Sequence, residues 1–83
     1  MEMPKFPTEP KRYDYSKLNW AIKKHFGKQC VFAAYMGLSE RAVSLKLNNI
    51  RGWKQQEMHR FCDLLQLPYT EIANYFFVED VQN

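Results

Sequence analysis

The side chains of this sequence that could do chemistry are mostly cations and amides, and they gather in one region. Lys28, Gln29, Arg41, Lys46, Asn48, Asn49, Arg51 and Lys54 all fall between residues 28 and 54. An ammonium or a carboxamide suits a phosphate oxygen, and a guanidinium suits a planar pair of acceptors. That chemistry is recognition rather than turnover. His25 and His59 stand alone, with no Ser/His/Asp or Cys/His grouping and no glycine-rich phosphate loop. Adjacent carboxylates occur only at Glu79 and Asp80. Cys30 and Cys62 lie 32 residues apart with no CxxC, a pattern that suits neither a zinc site nor a disulfide framework. Two free thiols are expected, one of them a core residue, and no catalysis, metal or cofactor.

The charge layout supports a polyanionic partner. Net charge is +3 overall, but residues 1–13 carry +1, residues 14–54 carry +6 and residues 55–83 carry −4. A basic centre and an acidic end make a polarised chain. With 46% apolar and 16% aromatic residues, the 83-residue chain is too rich for disorder and suits one small domain with one core. The apolar run from Val31 to Met36 is far too short to span a bilayer, and the start, MEMPKFPTEP, has no signal-peptide pattern. A soluble cytoplasmic protein is expected.

The elements that must hold these cations follow from local signals. Prolines at 4, 7 and 10 make residues 1–13 an extended or mobile arm. Asp14 or Ser16 can cap a first helix that runs to about Phe26, where Gly27 stops it. Lys28 to Tyr35 reads as a second helix with Phe32, Ala33 and Met36 on one side. Gly37 turns the chain, and Ser39 caps a third helix through about Asn48. A fourth helix spans about Gln55 to Gln66, with Met58, Phe61, Cys62 and Leu65 in an apolar stripe. Pro68 opens a last short helix, YTEIANYF. Nothing alternates with period two, so the fold is expected to be all-α, with a domain at residues 14–78 and a tail at 79–83.

The centre, KQCVFAAYMGLSERAVSLKLNN, therefore reads helix, glycine turn, helix. Ala33 is small enough for a close helix crossing, Gly37 permits the reversal, and Met36, Leu38 and Val43 flank it with apolar contacts. Residues 14–77 resemble the lambda-repressor and Cro class of helix-turn-helix domains, with five helices in the same order. VSLKLNN followed by W…QQE resembles a phage and prophage subgroup within it, and YDYSKL and YFF resemble a small phage regulator family. Two positions depart from the wider pattern. Lys46 stands where most relatives bury an apolar side chain, with Leu47 expected to cover the gap. Asn49 replaces a glycine, and asparagine tolerates the left-handed conformation that a cap needs there.

The resemblance implies a compact five-helix domain that binds double-stranded DNA, usually at inverted repeats as a homodimer, to regulate transcription. The start of the third helix would enter the major groove. With Leu38, Val43 and Leu47 inward, Ser39, Glu40, Arg41, Ser44 and Leu45 face out as base readers, Arg41 foremost. Lys28, Gln29, Lys46, Asn48, Asn49, Arg51 and Lys54 are assigned to phosphates, which give affinity and register. Trp53 is read as a core anchor between the third and fourth helices. Lys5, Lys11 and Arg12 are candidates for a minor-groove arm, and the apolar YFFV, Tyr75 to Val78, either completes the core or forms a subunit interface. The rival reading keeps the fold but changes the partner: a protein-interaction module or antirepressor that binds another regulator through its acidic C-terminal third.

Overall fold

The computed structural model describes residues 12–80. Five α-helices pack with one 3₁₀ turn: α1 Ser16–Phe26, α2 Gln29–Met36, α3 Glu40–Leu47, α4 Gln55–Leu65, the turn Tyr69–Glu71, and α5 Ile72–Phe76. The described chain is all-helical apart from one isolated antiparallel bridge, Tyr13 to Glu79. None of its helices is long and apolar enough to cross a membrane.

Local chemistry sets the boundaries. The Asp14 carboxylate accepts from both the backbone N–H and the hydroxyl of Ser16, fixing the entry to α1. The Ser39 hydroxyl accepts from Ala42 N–H at 3.0 Å, the expected N-cap of α3. Gly37 sits at φ +71°, and its neighbour Leu38 donates back to the Ala33 carbonyl at 2.9 Å. This closes α2 with a left-handed residue and satisfies its last carbonyls. Asn49 and Gln66 do the same for α3 and α4 at φ +63° and +56°, with Ile50 N–H meeting Leu45 C=O and Leu67 N–H meeting Cys62 C=O. Three helix ends thus share one device, and glycine supplies it once.

Burial follows the apolar stripes. Leu18, Ala21 and Ile22 of α1, Phe32, Ala33 and Met36 of α2, Val43 of α3, Phe61 and Cys62 of α4, and Tyr75 and Phe76 of α5 make the core. Trp53 joins it from the α3–α4 loop, its ring edge-on to Phe76 at 5.4 Å and within 6.5 Å of Tyr15 and Phe32. The anchoring role read from the sequence holds. YFFV divides: Tyr75 and Phe76 complete the core, while Phe77 and Val78 stay exposed.

The ends of the folded body differ from expectation. The arm of residues 1–13 lies mostly outside the described residues, as do Lys5, Lys11 and the tail from 81 to 83. Arg12 and Tyr13, however, are fastened. Tyr13 donates its N–H to the Asn49 side-chain oxygen at 2.8 Å and accepts the Asn49 amide at 3.0 Å. Asp14 N–H meets Val78 C=O at 2.7 Å, and Asp80 N–H meets Arg12 C=O at 3.0 Å. The folded unit therefore starts before residue 14 and includes Glu79 and Asp80. The prolines at 4, 7 and 10 gave no sign that a distant side chain catches the chain at Tyr13.

Candidate functional site

The α2–turn–α3 unit carries most of the residues singled out by sequence, and α3 itself is short. Its N-terminus projects Ser39, Glu40 and Arg41 to solvent, while Ser44 and Leu45 are half-buried on the next turn. Val43 is fully buried and Leu38 and Leu47 pack against the core, so the inward set holds as read. Arg41 is exposed with no carboxylate or ring partner within contact distance among the described residues. Glu40 lies in the first turn, where a negative charge is favoured by the helix dipole. Of the five residues read as base readers, Ser39, Glu40 and Arg41 share the exposed start of α3, whereas Ser44 and Leu45 lie half-buried in its second turn rather than facing out.

The phosphate set is less uniform. Lys28 caps α2 in an extended conformation and is exposed, and Gln29 opens the helix half-buried. Arg51 and Lys54 are exposed on the loop that follows α3. Asn48 is exposed but turns back on its own helix, its amide donating to the Ser44 carbonyl at 2.8 Å.

Two assignments are overturned. Lys46 is only 5% exposed, so it is not a phosphate contact. Its ammonium lies 3.0 Å from Glu57 Oε1, donates to Gly52 C=O at 3.0 Å, and sits 5.7 Å from the centre of the Trp53 ring. The same Glu57 oxygen accepts the Lys54 backbone N–H at 2.8 Å, which caps the start of α4. Leu47 packs against the core as expected, but Lys46 is buried too, and it fills its position by bringing its counter-ion. Burial of a charge is tolerated when it is paired and hydrogen-bonded, as it is here. Asn49 is likewise engaged, its carboxamide clamped on both sides of Tyr13 while its backbone takes the left-handed conformation. Both residues hold the α3–α4 loop rather than a ligand.

Elsewhere the surface carries features that sequence reasoning passed over. The outer side of α1 exposes Trp20 beside Lys17, Lys23 and Lys24, and Tyr35 and Leu64 stand on a shallow cleft between α2 and α4 lined by Gln56, His59 and Arg60. His59 stacks on Tyr69 at 4.4 Å, and Tyr69 donates its hydroxyl to Asp63 at 2.8 Å. That hydrogen bond, with lesser help from burial, raises the Tyr69 pKa above the ordinary phenol value. The helical spacing of Lys17, Trp20 and Lys24 was the available signal for the α1 face. Among the described residues no group of three or more His, Cys, Asp or Glu side chains could hold a metal ion.

Comparison with known proteins narrows the class. No curated protein matches the chain. Among solved structures it is similar to the solution structure of the modulator of repression of the temperate bacteriophage TP901-1 from Lactococcus lactis. The two are 48% identical, with a TM-score of 0.68, and the match covers 78% of this chain and 88% of the other. A family profile matches residues 11–79, nearly the whole folded body, and the chain accordingly belongs to the DUF739 family of proteins of unknown function.

Proposed function

We propose that this protein is a small phage regulatory protein that acts by binding another regulator, in the manner of a modulator of repression. The observation that carries the reading is the 48% identity to the phage TP901-1 modulator of repression over most of both chains. It favours the interaction module over the DNA-binding regulator of lambda-repressor and Cro type. The fold supports a compact body with exposed aromatic and charged patches, and the loss of Lys46 and Asn49 to internal contacts thins the phosphate-binding set.

Duplex DNA is the second reading, favoured by one specific observation. Arg41 at the start of α3, Lys28 before α2, and Arg51 and Lys54 on the loop after α3 all stay exposed, which leaves one cation for a groove and three for phosphates. In that reading the protein binds an inverted repeat as a homodimer.

One pair of measurements separates them. Purified protein is titrated with a repressor from a temperate phage that carries a member of this family, and separately with duplexes from that phage's switch region. The leading reading expects a stable complex with the repressor and a change in the repressor's own operator affinity. Salt-sensitive duplex binding by this protein alone, with no repressor complex, transfers the assignment to DNA.

A further inference from the structure

The eight cations of the +6 segment include three that neither DNA contacts nor the core accounts for: Lys17, Lys23 and Lys24, all on α1. That helix contains no acidic residue. Residues 17, 20 and 24 follow helical spacing along one stripe, with Lys23 beside Trp20 at i+3. Trp20 is 54% exposed at the centre of the stripe. Lys24 Nζ lies over its ring at 4.7 Å, and Lys17 Nζ lies over the ring of Tyr75 at 4.7 Å. Among the described residues, none of the three ammonium groups has a carboxylate within ion-pair distance.

Helix electrostatics explains only part of this. Lys23 and Lys24 sit in the last turn, where the dipole favours cations. Lys17 sits in the first turn, where the dipole opposes it, and the one acid at that end, Asp14, is engaged by Ser16 rather than by Lys17. A half-exposed tryptophan flanked along its helix by three lysines without carboxylate partners combines an apolar anchor with a cationic rim. Because Lys24 already covers one face of Trp20, the ring is poorly placed for a base to stack on both sides. An indole edge entering an apolar slot between carboxylates uses the same geometry fully.

We propose that the outer face of α1, built from Lys17, Trp20, Lys23 and Lys24, is the docking surface for an acidic, apolar-centred patch on the partner protein. The proposal rests on the protein-binding reading above and names its surface. The test uses the full chain and the same phage repressor, by calorimetric titration. Trp20→Ala and the pair Lys17→Gln with Lys24→Gln should each weaken the complex at least tenfold, with the thermal midpoint of the free protein unchanged. Wild-type affinity should fall as salt rises from about 50 to 300 mM. In a Trp53→Phe background, repressor binding should shield the remaining Trp20 from acrylamide.

Three results would overturn the assignment. If these variants bind as wild type while Arg41→Ala does not, the partner sits on α3 and the protein-binding reading stands without this surface. If the α1 variants instead lose affinity for duplex or single-stranded DNA, the face serves a nucleic acid. If the wild-type chain forms no repressor complex at all, both the reading and the surface fall.

Discussion

At the residue scale the Lys46–Glu57 pair is the feature with the largest expected effect. Removing one partner strands the other in the interior, so Lys46→Leu should destabilise the fold by about 3 kcal/mol. Adding Glu57→Gln should recover most of that loss, because the amide oxygen still accepts the Lys54 N–H that caps α4. Urea unfolding of the single and double variants checks it; equal loss in both would mean that the ion pair is not what holds Lys46. The thiols make a second contrast. Cys30 is exposed and Cys62 is buried, and burial, with smaller contributions from Asp63 and Glu71, pushes the Cys62 thiol up. A thiol reagent at neutral pH should therefore label one cysteine in the native protein and both in urea. Asp14 gives the pH dependence. The Ser16 hydroxyl, and then the Ser16 N–H, hold its carboxyl below the ordinary value. Its contribution is present in full above the ordinary carboxylate pKa of about 4 and is lost as pH falls through the depressed value. Asp14→Asn should flatten the acid limb of the stability curve in that window, lying below wild type at neutral pH, where the charged carboxylate contributes, and converging with it at low pH.

Elements are governed by their ends. Gln66 holds φ +56° without glycine's freedom, so Gln66→Gly should stabilise the protein by up to about 1 kcal/mol. Asn49 separates two contributions at one site. Asn49→Gly keeps the left-handed turn and loses the two hydrogen bonds to Tyr13, at about 1–2 kcal/mol; Asn49→Ala loses both and should cost about 1 kcal/mol more. Thermal melts of the two variants in parallel measure the difference, and equal midpoints would show that φ carries no strain there. These ends also show what a sequence can disclose. Ser39, Gly27, Gly37 and Pro68 act on their immediate neighbours, so the helices they bound were legible within a residue or so. Lys46 was not, because its burial depends on Glu57 and Gly52, which only the folded loop brings beside it. The start of α3 was legible as an exposed face, since its inward residues follow helical spacing. The clamp of Tyr13 on Asn49 and the placement of Lys17 over Tyr75 were not, since each joins residues far apart in the chain.

For the whole molecule the question is which surface meets which partner. The exposed residues divide between the start of α3, where Arg41 leads, and the outer face of α1, where Trp20 does. If the protein modulates repression through a protein complex, charge on α1 should govern affinity and Arg41→Ala should matter little; if it reads duplex DNA, the ranking reverses. Titrating both variants against repressor and duplex gives four numbers that cannot satisfy both schemes. The backbone has a further property with a practical use. Arg12 and Asp80 are hydrogen-bonded neighbours, so the described chain begins and ends at the same point, a ring with a nick in it. Gly27 lies on the surface between α1 and α2 with nothing within 4 Å of where a Cβ would sit. A short linker sealing the nick, with new termini opened at Gly27, should therefore refold with its melting temperature within about 5 °C of the original order. Such a permutant would move both chain ends to the junction of α1 and α2, where a reporter dye could be attached close to Trp20.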